Sequence, residues 1–181
     1  MTMLSNECIK PQTLHPNLEK VSNWISKLGL GKKVDISHLG QTDLVDVTLT
    51  LLDDAKLSLP DLGFGVSQVL PVLVQCAFAP KGSTLLFEQP ELHLHDNAAR
   101  NLAGVFVDFV KEKSSQIILE THSRHLFHEL IQEVNKGRIK ASDIVLYDVV
   151  RKDGSSSFRK ISLEVDEQGQ CEVDHPWGNS L

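Results

Sequence analysis

Cysteine is scarce: Cys8, Cys76 and Cys171 are odd in number, far apart and without CxxC spacing. That excludes a disulfide framework and offers no thiolate set for zinc, so reduced thiols are expected. No apolar run approaches the roughly 20 residues of a membrane span, and the opening stretch MTMLSNECIKPQ has no apolar signal region. A cytoplasmic protein without a membrane partner is expected. Basic charge is also short, with 18 Lys and Arg against 24 Asp and Glu and a formal net charge of -6. Nothing overall attracts a phosphate polymer, and nucleic acid stays open as a partner without support from charge. Internal repeats and low-complexity runs are missing. So is GxxxxGK[ST], the loop whose backbone N–H groups cradle phosphates. The nearest stretch, Leu28-Gly29-Leu30-Gly31-Lys32-Lys33, has the wrong spacing and no closing Ser or Thr.

What is present is an ordinary globular composition, 41% hydrophobic and 23% charged over 181 residues. A chain of this length buries roughly 70% of its unfolded surface in one core. Residues 1–15 have no period and read as a lead-in, possible disorder included; residues 16–181 read as one domain. Leu18, Val21, Trp24, Ile25 and Leu28 recur at helical steps before Gly29, and Trp24 on that face reads as core. Val34–Ile36 and Asp43–Leu52 read as strands, the second with one polar face, followed by a turn at Asp53–Lys56. A helix is expected over Val66–Phe78, with Pro71 in its first turns.

The central stretch is Thr84–His95, TLLFEQPELHLH. Its apolar run stops at carboxylates and a proline, which predicts a strand covered on both faces, as in parallel α/β sheets. Ligands of such sheets lie beyond the carboxyl ends of the strands. A helix is expected over His95–Lys111. The pattern then recurs in Gln116–Ser123, QIILETHS, followed by a helix from Arg124 to Asn135 with Gly137 as its stop. Two adjacent strands would aim Glu88 and His122 at one place, a carboxylate for Mg²⁺ and a donor for a terminal phosphate. Ile144–Val150 and Phe158–Val165 flank Arg151–Ser157 as a hairpin, and a polar tail from Asp166 is expected to cover an edge.

FEQPELHLH resembles the Walker B segment of ABC-type ATPases, in the form found in RecF-, SMC- and OLD-like members of the AAA-family ATPases. ETHSRHLF resembles their switch, and Leu62–Pro71, LGFGVSQVLP, resembles their signature segment. The order and spacing of the three agree with that group, and the likeness runs from about Val21 to about Gln170. It implies the carboxyl-terminal half of a P-loop NTPase-like ABC ATPase head: an α/β fold with a parallel sheet core, flanking helices and a terminal β-hairpin.

The resemblance further implies ATP and Mg²⁺ as cofactors, with Glu88 as the metal-associated acid. The group carries a water-polarising glutamate where this chain has Gln89; glutamine orients water but takes no proton, and Glu91 is the substitute to consider. His122 takes the switch role. In the signature, Gly63, Gly65, Ser67 and Gln68 are the candidate contacts, offered by a turn into a helix whose N–H groups attract phosphate oxygens. Gly63 stands where the pattern has serine, and Ser67 lies beyond Gly65. Such a segment reaches nucleotide held by an opposite subunit, so a P-loop-bearing half or a homologous head is the implied partner, in a homo- or hetero-dimer. The P-loop would come from a preceding segment or a separate polypeptide. Two alternatives differ in class. One is a degenerate interaction or regulatory domain, suggested by Gln89 and the absent P-loop. The other is a histidine-based metal site from His93, His95, His122, His125 and His128.

Overall fold

Apolar side chains three and four residues apart build the helices, while the strands carry either alternating apolar residues, as in β2, or short apolar runs, as in β4 and β5. The computed structural model describes residues 16–39 and 43–173. The expected lead-in at 1–15, Cys8 and the end of the tail at 174–181 lie outside the described residues. The order is α1 (Pro16–Lys27), β1 (Lys33–His38), β2 (Val45–Thr50), β3 (Lys56–Ser58), α2 (Phe64–Phe78), β4 (Thr84–Glu88), α3 (Asp96–Lys113), β5 (Gln116–Glu120) and α4 (Arg124–Asn135). Then come β6 (Leu146–Lys152), β7 (Ser155–Ile161), β8 (Leu163–Val165) and β9 (Cys171–Val173).

α1 buries Val21, Trp24 and Ile25, so Trp24 is core as its spacing implied. Ser22 ties the helix to β1, its hydroxyl accepting from the Val34 amide at 3.0 Å. β1, β2 and β3 form an antiparallel meander. The third strand starts at Lys56, inside what reads from sequence as a turn. α2 begins two residues earlier than expected because Gly63 stands at its amino end in extended backbone. Pro71 is then the eighth residue of the helix and not in its first turns. It removes an amide that would have met the Ser67 carbonyl, and it lies on the exposed side.

β4 and β5 pair in parallel, Thr84 opposite Gln116 through Glu88 opposite Glu120, with α3 as the crossover. One face carries Phe87, 8% exposed and stacked on Phe106 of α3 at 5.6 Å, and merges into the main core with Leu85, Ile117 and Leu119. The other face leaves Leu86 and Ile118 at 70% and 53% exposure. The expectation of a strand covered on both faces is thus corrected: the described residues supply a helical layer to one side only.

α4 runs over the residues the sequence pattern picks out, with Gly137 in the left-handed region at φ +68°. Its second flank holds a smaller core of Phe127, Ile131, Ile161, Cys171 and Val173, which seats β6 to β9 on the helix. The β6–β7 ladder reaches Lys152 opposite Ser155, so Arg151–Ser157 is mostly strand. The turn is only Asp153-Gly154, both at positive φ, as a two-residue hairpin demands. Asp108 of α3 binds three elements together. It accepts from Lys27 at 2.8 Å, from the Trp24 indole at 3.4 Å and from Arg138 at 2.5 Å, and Arg138 also pairs with buried Glu133 at 2.6 Å.

Two outcomes follow from this packing. A Cβ on Gly65 would lie 2.6 Å from the His93 carbonyl oxygen, whereas one on Gly63 meets nothing within 4 Å. Gly65→Ala should cost about 1–3 kcal/mol by overpacking against backbone, and Gly63→Ala less than about 1 kcal/mol, read from urea midpoints at constant slope. Cys76 is fully buried, and burial pushes its thiol up to about 12. Its thiolate is therefore absent from the folded protein at pH 8. Iodoacetamide followed by mass spectrometry should label Cys76 only at the rate of global unfolding.

Candidate functional site

Two parallel strands that end level with each other deliver their last side chains side by side. Glu88 and Glu120 are register partners on the face that carries Leu86 and Ile118, and both are exposed. Neighbouring strands lie about 4.8 Å apart, so two like charges share one small area. Carboxylate oxygens are the donors that Mg²⁺ and Ca²⁺ prefer. Glu120 was passed over in the sequence, where it reads as the end of an apolar run. The signal available was the register: two strands with the same pattern, each closing on glutamate.

Past β5 the chain turns through Thr121, His122 and Ser123. His122 is 73% exposed, with Nε2 3.8 Å from the nearer Glu120 oxygen. Its exposure follows from the local fold, in which Ser123 caps α4 by accepting from the Leu126 amide at 3.2 Å. Glu88, Glu120 and His122 thus gather at one end of the sheet.

The loop after β4 is tighter. The Gln89 amide donates to the Glu120 carbonyl at 2.9 Å, which carries the ladder one residue past the strand. Gln89 and His93 have φ of +44° and +64°, left-handed backbone that is uncommon without glycine. Between them the chain folds back, with Leu92 N–H on the Gln89 carbonyl and Leu94 N–H on the Glu91 carbonyl, both at 3.0 Å. Glu91 is 8% exposed; Oε1 accepts from the Thr121 hydroxyl at 2.5 Å, and Oε2 has no hydrogen-bond partner among the described residues. It is the one carboxylate of this loop that is withdrawn from water.

The Gly63 turn lies against the same loop, since Gly65 abuts the His93 carbonyl and Phe64 meets the His93 ring at 5.9 Å between centroids. Gly63 provides no capping side chain, so the first amides of α2 have no side-chain acceptor there. The Ser67 hydroxyl turns back onto the Gly63 carbonyl at 3.3 Å, while Phe64 and Gln68 face solvent.

The histidines do not assemble into a metal cage. His95 caps α3, its Nδ1 accepting from the Ala98 amide at 3.3 Å. His125 links α3 to α4. Arg100, which can only donate, meets its Nδ1 at 2.8 Å, so the ring proton is on Nε2 and faces Asp96 at 3.2 Å. No cluster of three or more His, Cys, Asp or Glu fit for a metal occurs among the described residues. Two surface grooves of about 460 and 260 Å³ lie by α1 and α3 and by Arg100, Glu133 and Arg138, and no strand-end residue lines either. The strand ends form an open platform.

Comparison with known proteins bears on the fold and the family. OLD nuclease from Thermus scotoductus is 28% identical over 117 residues, covering 60% of this chain; the chain spans only 22% of that protein. The SMC head domain from Pyrococcus furiosus, bound to the C-terminal domain of ScpA, superposes with a TM-score of 0.62 at 17% identity, over 81% of this chain and 34% of that one. An SMC ATPase described for ATP-driven dimerization and DNA-stimulated activation gives 0.61 at 16% identity, over 81% and 83%. At such identities the likeness shows the fold, that of an ABC-type ATPase head. A model of the AAA ATPase domain matches residues 5–127, more than half of the 181 residues, and the chain belongs to that ATPase family.

Proposed function

We propose that this chain supplies one part of a composite ATP site: the Walker B acid Glu88, the switch histidine His122 and a signature turn at Gly63–Gln68. The observation that carries this reading is the register of β4 and β5, which sets Glu88 against Glu120 with His122 just beyond. The family implies a nucleotide and usually Mg²⁺, and two exposed carboxylates at one strand end fit such an ion by donor type and charge. Mg²⁺ held there would neutralise phosphate charge. His122 would donate to a terminal phosphate oxygen, and the Gln89 side chain would orient water without taking its proton. The first amides of α2, with Ser67 and Gln68, would meet phosphate oxygens presented by another subunit.

The main cradle is not among these residues and would come from a preceding segment or a separate polypeptide, a P-loop-bearing half or a homologous head acting in a homo- or hetero-dimer. From the family resemblance we take the wider setting to be DNA-related or phage-defence machinery, while the net charge of -6 gives this chain no overall attraction to nucleic acid. A second reading, a catalytically inactive regulatory domain, is favoured by Gln89 and by the burial of Glu91, which keeps that carboxylate from water.

Calorimetry with Mg-ATP on the chain alone should show binding weaker than micromolar, because only the edge of a phosphate site is present. Micromolar affinity would mean that the cradle has been replaced within this chain. In an active complex with a P-loop-bearing head, Glu88→Gln should abolish hydrolysis with the fold intact, and His122→Ala should raise KM for ATP. Gln89→Glu should raise the rate by about a hundredfold to ten-thousandfold where water activation limits it. Hydrolysis unchanged in both Glu88→Gln and His122→Ala would defeat the reading, and no gain from Gln89→Glu in a slow complex would favour the regulatory one.

A further inference from the structure

Glu91 is the polar group at this end of the sheet that the proposed chemistry does not use. It is more than nine-tenths buried, with Oε1 on the Thr121 hydroxyl at 2.5 Å and Oε2 unpartnered among the described residues. Burying a carboxylate costs free energy that one neutral hydrogen bond does not repay, so its presence here calls for a physical reason.

The Thr121 hydroxyl has two jobs. It donates to Glu91 and accepts from the Ser123 amide at 3.0 Å, and Ser123 in turn caps α4 through the Leu126 amide. A continuous chain of hydrogen bonds therefore runs from the loop after β4, through Thr121 and Ser123, into the first turn of α4. His122 sits between the two residues so fixed. Its own ring is largely exposed and meets Glu120 only at 3.8 Å, so the backbone sets its position. On the other side, the Gln89 amide on the Glu120 carbonyl fixes the start of the same loop.

We propose that Glu91 is a positioning residue: acting through Thr121, it locks the loop after β4 to the loop after β5, so that Glu88 and His122 move as one unit. This rests on the reading of the strand ends as part of an ATP site, and it assigns Glu91 a role other than the general base considered for it from the sequence. A base needs a free charged oxygen in contact with water. A latch needs only an acceptor for the Thr121 hydroxyl, which a neutral amide also supplies.

The substitutions separate the two roles. In the isolated full chain, amide hydrogen exchange should accelerate about tenfold, the scale of one lost buried hydrogen bond, in both Gln89–Leu94 and Thr121–Arg124 for either Glu91→Ala or Thr121→Val. Glu91→Gln and Thr121→Ser should keep wild-type protection, and the Glu91→Ala/Thr121→Val double variant should be no looser than either single one. Exchange in β6–β7 should not change. In an active complex with a P-loop-bearing head, Glu91→Gln should keep kcat and KM near wild type. Glu91→Ala should raise KM for ATP as His122→Ala does, with no further effect in the His122→Ala background. Loosening confined to the mutated loop, or Glu91→Gln as damaging as Glu91→Ala, would overturn the latch. Should Glu91→Ala not fold, the Thr121→Val and Thr121→Ser pair decides by the same criteria. The exchange readout needs no nucleotide, so loss of the latch and loss of the ATP-site reading are separate results.

Discussion

Everything at the proposed site depends on the parallel pairing of β4 with β5 without offset. Side chains alternate along a strand, so a shift of one residue would turn Glu120 into the core and Leu119 out to solvent, and would break the Glu88–Glu120 alignment. The pairing is held from one side by packing, above all Phe87 against Phe106 and the helical layer behind them. It is held at the end by the Gln89 amide on the Glu120 carbonyl. Hydrophobic burial on one face thus determines which charges meet on the other.

That division of labour explains why the platform is both precise and open. The acids and His122 are exposed because the described residues put their helices on the opposite face. The loops around them are nevertheless stiff. Two non-glycine residues, Gln89 and His93, are kept in left-handed backbone, a conformation that persists only where neighbours over-determine it. Gly65 pressed on the His93 carbonyl and Glu91 on Thr121 are two such neighbours.

Much of this was legible in the sequence. The apolar run ending at Glu88 and the QIILE run each became a strand, and the helix expected over Arg124–Asn135 is α4 with the same ends. What stayed hidden depends on partners distant in the chain. Glu120 gains meaning only when its strand lies beside β4, and the burial of Glu91 only when Thr121 arrives from thirty residues away. The open face of β4 was misjudged because an apolar run says that both sides of a strand are apolar, not that both are covered. The hairpin was drawn too wide because serines read as loop, while Asp153-Gly154 alone makes the turn and the serines extend the ladder.

Asp108 joins segments that are far apart in the chain. Its carboxylate collects donors from α1 and from the segment after α4, which are more than a hundred residues apart in sequence. Only 18% of that side chain is exposed, so dissolved ions screen these contacts far less than they would a surface pair. The first helix is therefore fastened to the last by a short-range electrostatic knot as well as by greasy packing. Peeling α1 away would strand Lys27, the Trp24 indole and part of the charge on Asp108 at once. α1 and the segment just after α4 are consequently coupled in unfolding through this one carboxylate, and a local loosening at either is felt at the other.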